Sequence, residues 1–526
     1  MAQNTANAAQ EIASGYATEG GALELGTVVV DGQVDPDAKV RIPFATLNRH
    51  GLVAGATGTG KTKTLQGLAG QLSDARVPVL LADVKGDLSG MAKPGEDNPK
   101  IQSRVQDTGD DWTPTAYPVE FLSLGGKSSA IPIRATLTQF GPILLSKVLD
   151  LNDTQESTLG LIFHWADQQG LPLLDTKDLR SVIQHLTSDE GKADLKGIGG
   201  VSPATAGVIL RALVNLEAAG GEDFFGEPEF EPADLLRLVD GKGVVSLLEL
   251  ADQAANPRLF STFLMWLLAE LYETLPEAGD LDKPKLVFFF DEAHLLFTDA
   301  SKAFLERIEQ TVKLIRSKGV GVFFCTQLPT DVPNDVLSQL GARIQHALRA
   351  FTPDDQKALA KTVRTYPKTA VYDLESALTS LGIGEAIVTV LSENGAPTPV
   401  AWTRMQAPRS LMDTIGPDAI AAAAKASPLQ AEYGQTVDRE SAYERLNAKL
   451  QPASAAAPDV GLPPPLPVDA GAASTEGEVK SRGAAEPGML DKMMSSPAFK
   501  SAMRSAGTVI GREITRSIFG TGRRRR

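Results

Sequence analysis

The sequence predicts an α/β fold built on a mostly parallel sheet, and three observations carry that expectation. Gly55-Ala56-Thr57-Gly58-Thr59-Gly60-Lys61-Thr62 fits GxxxxGK[ST], and it lies between a short apolar run, His50–Ala54, and a segment with Leu65, Leu68 and Leu72 at helical spacing. Val77–Asp83 and Lys285–Asp291 are continuous apolar runs that each end in an acid, which is how strands covered on both faces of a parallel sheet read. Gly321–Gln327 is a third run of the same kind.

Residues 1–20 are small and polar and are expected to be flexible. Gly26–Val30 and Val40–Phe44 read as two strands, a short β preface to the Gly-rich loop. Residues 21–135 then hold this preface and the first half of the core, with Val119–Leu124 as a further strand. Residues 136–284 turn mainly helical, with Ile143–Leu145, Leu159–Phe163 and Val208–Leu213 in helical-length windows and one strand, Gly243–Leu248, between them. They read as a helical insertion. The sheet resumes over 285–415, where Ala342–Leu348 and Glu385–Leu391 are later strands. Residues 416–487 shift to Ala and Pro, with Pro463-Pro464-Pro465, and read as a linker. In 488–526, Phe499, Met503, Ala506, Ile510, Ile514 and Ile518 recur every three or four residues with Lys500, Arg504, Arg512 and Arg516 off the stripe, a basic amphipathic helix before an Arg523–Arg526 tail. Docking on the protein's own core or a neighbouring subunit, nucleic acid and a membrane surface are three open uses for that helix.

Composition narrows the class. The 526 residues are 42% hydrophobic and 22% charged, ordinary for a globular protein of two to three folded units. A single cysteine, Cys325, excludes an internal disulfide framework and fits a cytoplasmic setting. The N-terminal residues lack a basic region followed by an apolar one, so no secretory signal is expected, and no apolar run is long enough for a transmembrane segment. The net charge of −14 argues against a protein that coats DNA over its whole surface. From Lys480 onward, however, 11 Lys/Arg face 3 Asp/Glu.

The loop Gly55–Thr62 names a nucleoside triphosphate with Mg²⁺ as the expected ligand class. Its glycines let main-chain N–H groups turn toward phosphate, Lys61 can reach the β and γ phosphates, and Thr62 can put its hydroxyl on the metal. Lys63 continues the phosphate-binding segment into the helix. Asp291, at the end of an apolar strand, is the second candidate for Mg²⁺, and Glu292 is placed to activate water for attack on phosphorus. Gln327 closes its strand as a candidate γ-phosphate sensor. Asp83 either lies near the metal or makes a strand-end turn, and His294 is a coupling or helix-start residue. Arg316, Arg343 and Arg349 are candidates for the positive charge that phosphoryl transfer gains from. There is no Cys/His spacing for zinc and no G-x-S-x-G nucleophile turn.

Taken together, Leu52–Thr62, Asp83–Gly90, Phe289–His294, Cys325–Gln327 and Leu340–Pro353 resemble the HerA/FtsK-type P-loop ATPases, and most of all the YjgR-like group with a HerA-helicase-like C-terminal region. The resemblance runs from about residue 20 to 415. It implies a RecA-like core, ATP hydrolysis and a homo-hexamer with sites between subunits. It also implies DNA as substrate, with a nuclease or other protein partner. In such rings one subunit lends an arginine to its neighbour's ATP, and Arg343 lies in the matching stretch. The chain departs from HerA in having a short β preface in place of a long N-terminal barrel, and a large helical insert. The competing reading of purpose is an ATP-driven switch or assembly factor acting on proteins.

Overall fold

A computed structural model describes residues 2–125, 128–195, 199–251, 257–279, 281–298 and 300–450. The basic helix expected over 488–526, and the linker beyond 450, lie outside the described residues.

The strands in chain order are β1 (Ala22–Val30), β2 (Gln33–Pro43), β3 (Gly51–Ala54), β4 (Val79–Asp83), β5 (Val119–Leu124), β6 (Ile131–Ile133), β7 (Leu238–Val239), β8 (Lys242–Gly243), β9 (Val245–Glu249), β10 (Leu286–Phe290), β11 (Val320–Thr326), β12 (Ala342–Gln345), β13 (Glu385–Thr389) and β14 (Ala401–Met405). Among the described residues, twelve of them form one sheet in the order β2-β1-β14-β13-β12-β3-β11-β10-β4-β9-β5-β6, while β7 and β8 pair as a small ribbon. From β12 to β6 every neighbour is parallel. From β12 back to β2 every neighbour is antiparallel, so the preface continues the same sheet.

Alternation along the central strands sends side chains into two separate cores. Leu80, Phe288, Phe290, Val322 and Phe324 face the core that holds the helical segment. Val79, Leu81, Phe289, Phe323 and Cys325 face the core beneath the helix Lys61–Asp74. Both faces are covered, which is why these strands read as unbroken apolar runs.

The helical segment is a cluster of Leu137–Val148, Asp153–Gln168, Thr176–Thr187 and Pro203–Ala218. It does not run unbroken to 284. The predicted strand near 243–248 is β9, and it enters the main sheet between β4 and β5. The following helix, Pro257–Thr274, buries Phe260, Phe263, Leu264, Trp266, Leu267 and Leu271 against the sheet.

Two expectations are corrected. The N-terminal residues form a helix over Ala2–Ser14 instead of a flexible tail, because Ala9 and Ile12 give it an apolar stripe that packs on the preface. Residues expected as linker are ordered as far as Leu450, with helices at Pro417–Ala426, Leu429–Tyr433 and Ala442–Leu450. Ala424, Leu429, Tyr433, Ala442 and Leu446 are buried in the core of the helical segment. The segment acts as a strap: Val437 N–H donates to Glu227 O at 2.9 Å and Ala442 N–H to Pro172 O at 3.1 Å.

Candidate nucleotide site

The Gly-rich loop joins the C-terminal end of β3 to the helix Lys61–Asp74. Its path needs glycine. Gly55, Gly58 and Gly60 have φ of 152°, 81° and 114°, a region that L side chains avoid. A Cβ on Gly55 would stand 2.5 Å from the Cβ of His346. Neighbouring strands pin the loop. Gly55 N–H donates to Thr326 O at 3.2 Å, Ala56 N–H to Ala347 O at 2.8 Å, and Gly384 N–H to Thr59 O at 3.0 Å. His346, buried behind the loop, accepts from or donates to Thr64 Oγ1 at 3.0 Å through Nε2, while Nδ1 lies 2.8 Å from Glu385 O. Burial lowers its pKa to about 4, so the ring is neutral: Nδ1–H donates to Glu385 and Nε2 accepts from Thr64.

Lys61 is buried, and its ammonium donates to Gly55 O at 2.6 Å and Ala56 O at 3.3 Å. Thr62 stands half-buried in the first turn of the helix. Thr57 and Gly58 are exposed at the loop tip. The Lys63 side chain turns away to Met412 O at 2.7 Å and Gln66 Oε1 at 3.2 Å.

Asp291 and Glu292 leave the end of β10, two strands across the sheet from β3 with β11 between. Ala293 N–H donates to Cys325 O at 2.8 Å, which ties this turn to β11. Burial first, and the Glu292 carboxylate second, push Asp291 up to about 6, with Lys85 opposing. A carboxyl held in that environment suits a divalent cation, whose charge would keep it ionised. Glu292 has φ 48°, and its carboxylate is met by Lys85 Nζ at 3.1 Å and His294 Nδ1 at 3.4 Å. Cys325 is buried beside Asp291, and burial raises its thiol well above the ordinary range.

Gln327 follows β11 directly, so it stands next to Gly55 on one side and the Asp291 turn on the other. It lines a cavity of ≈ 390 Å³ with His294, Phe297, Thr298, Leu328 and Asp331. Asp331 fixes the turn that carries it, accepting from Thr326 Oγ1 at 2.7 Å and Leu328 N–H at 2.9 Å.

The remaining candidates separate. Asp83 makes the strand-end turn: its carboxylate accepts N–H bonds from Gly86 at 2.7 Å, Asp87 at 3.2 Å and Leu88 at 2.9 Å. Arg349 reaches the loop, donating to Thr57 O at 3.2 Å. Arg343 pairs with Leu52 across β12 and β3, and donates to Thr365 O at 3.2 Å, so within its own chain it does not reach the loop. Arg316 follows the helix Lys302–Ile315 at the start of β11, the end of the sheet opposite the loop. Lys85, His346 and Asp331 were not among the sequence candidates. Each acts through contacts that a motif does not encode, although the Asp83-Val84-Lys85-Gly86-Asp87 string did mark the Lys85 turn.

Comparison with known proteins gives the family. The DNA double-strand break repair helicase HerA of Sulfurisphaera tokodaii is 23% identical over 372 residues, 69% of this chain and 66% of that protein, so the chain spans just under two-thirds of its length. Among solved structures, the bacterial conjugative coupling protein TrwB, without its first 70 residues, superposes with a TM-score of 0.49 at 17% identity, covering 77% of this chain and 94% of that one. VirB4 of Thermoanaerobacter pseudethanolicus gives 0.48 at 15%, covering 74% and 98%. Residues 29–526 match the family described as Helicase HerA-like C-terminal, and the chain belongs to that family.

Proposed function

We propose that the protein is a Mg²⁺-dependent ATP hydrolase that works as a ring-forming motor on DNA. The observation that carries the hydrolase reading is the placing of Gly55–Thr62, Asp291–Glu292 and Gln327 at the ends of three adjacent parallel strands. Loop N–H groups and Lys61 would hold the β and γ phosphates, Lys61 exchanging its two loop carbonyls for phosphate oxygens. Mg²⁺, held by Thr62 and Asp291, would supply positive charge against the phosphate oxygens. Glu292 takes the proton of the attacking water, and Gln327 orients that water or reads the γ-phosphate. Arg343 of a neighbouring copy in a hexamer is the proposed source of trans charge, and Arg349 stands at the loop in cis.

The name of the HerA relative, a DNA double-strand break repair helicase, supports DNA as substrate; a nuclease or other protein partner and a cytoplasmic setting are part of the same proposal. Among the described residues no helix is long and apolar enough to cross a membrane. One observation favours a second reading, a switch acting on protein partners. Residues 136–284 carry 24 Asp/Glu against 10 Lys/Arg, a net negative charge that repels phosphate backbones. ATP hydrolysis measured with and without single- and double-stranded DNA decides between them. A motor is stimulated by DNA, with a steep loss of stimulation as salt rises. Turnover indifferent to every nucleic acid, and unchanged when Lys480–Arg526 is deleted, favours the switch.

A further inference from the structure

Glu292 has a constrained backbone and a neighbouring cation. Its φ of 48° is left-handed, a conformation that a residue with a side chain keeps only where its surroundings impose it. Lys85 Nζ lies 3.1 Å from Oε1, and His294 Nδ1 lies 3.4 Å from Oε2. The Glu292 side chain is 14% exposed and that of Lys85 39%.

Lys85 is not a loosely placed surface lysine. It leaves β4, which neighbours β10 on the side away from β11. The turn carrying it is fixed by three N–H bonds to the Asp83 carboxylate and by Gly86 at φ 72°. Leu250 N–H donating to Asp83 O at 2.9 Å anchors the same residue to β9. The two turns therefore leave adjacent strands side by side and present one cation to one carboxylate.

While the pair is closed, Oε1 is directed at the Lys85 ammonium, and the carboxylate must turn from it to meet a water. Of the two partners, His294 shares the turn of Glu292, whereas Lys85 has a long, partly exposed stem that can swing away. We infer that Lys85 is a positioning residue that withholds Glu292 from the attacking water, and that turnover requires the Lys85–Glu292 pair to open. The inference rests on Glu292 being the base.

The test uses the full chain without nucleic acid, measuring steady-state ATP hydrolysis. Lys85→Met keeps the stem and removes the charge, and Lys85→Arg keeps the charge. Lys85→Met is expected to raise kcat by up to about fivefold, the most that a partly exposed ion pair contributes, with KM for ATP unchanged. Lys85→Arg returns kcat toward the wild-type value. Rising salt lifts wild-type kcat and leaves Lys85→Met flat, because salt screens the pair. A kcat for Lys85→Met that falls or stays equal, in protein with a wild-type melting curve, overturns the inference. Glu292→Gln run in parallel separates the two failures. If that variant is inactive and Lys85→Met is unchanged, only the role of Lys85 is wrong. If Glu292→Gln turns over ATP like wild type, the base assignment falls and the inference with it.

Discussion

His50 shows what a single buried residue does below the nucleotide loop. Its Nε2 lies 2.7 Å from Val312 O and its Nδ1 3.0 Å from Val322 N. One ring nitrogen donates and the other accepts, so only the neutral ring satisfies both, and burial lowers its pKa to about 4 from an ordinary 6.5. A depressed folded pKa gives stability that is fully present above pH 6.5 and is lost as pH falls through 4. The difference amounts to at most about 3 kcal/mol. In denaturant melts, His50→Gln is expected to be less stable than wild type at pH 7, with the gap narrowing toward pH 4; a gap constant with pH contradicts the neutral ring. In the nucleotide site, Lys61→Ala is expected to abolish measurable turnover, checked by phosphate release. The motif residues Gly55–Thr62, Asp291 and Glu292 were legible because their chemistry is local in sequence. Lys85 and His346 were not, because their roles depend on Glu292, Thr64 and Glu385, each reached only through the fold.

At the scale of elements, the strap Pro417–Leu450 is the clearest departure from expectation. Its Ala-rich composition resembles linker, yet Tyr433 is buried against Phe230 with ring centroids 5.3 Å apart. Its hydroxyl donates to Asp234 Oδ2 at 2.7 Å and accepts from Glu231 N–H at 3.2 Å. Tyr433→Ala therefore removes a packed ring and the two hydrogen bonds of its hydroxyl, and is expected to cost about 3–5 kcal/mol in chemical denaturation. Tyr433→Phe leaves the ring and is expected to cost about 1–2 kcal/mol. Equal stability of Tyr433→Ala and wild type would mean the strap is not bound. The apolar runs of β4, β10 and β11 were readable because both sheet faces are covered. The strand β6 is three residues long, and β14 alternates Trp402 and Arg404 with buried Ala401, Thr403 and Met405, too weak a pattern to stand out.

At the scale of the whole molecule, the β preface and the strands β13 and β14 extend the parallel sheet on one side, and the helical segment covers one face of it. The sequence announced the preface, β13 and the helical segment, but not β14, nor that β9 returns to the sheet between β4 and β5, since strand order depends on contacts far apart along the chain. A hexamer that completes its sites between subunits is expected to gain mass with a nonhydrolysable ATP analogue, read by light scattering; a monomer at all protein and nucleotide concentrations contradicts the ring. Arg343→Ala is then expected to lower kcat by at least about a hundredfold while leaving ATP affinity unchanged, as loss of a transition-state charge does.

Hydrolysis by Glu292→Gln, measured beside its affinity for ATP, tests the proposed hydrolytic site most directly. The carboxamide keeps the size of the side chain and removes the proton acceptor, so ATP is expected to bind within a few-fold of wild type while turnover falls by about 10²–10⁴. Wild-type turnover in that variant would mean that the turn after β10 does not activate water.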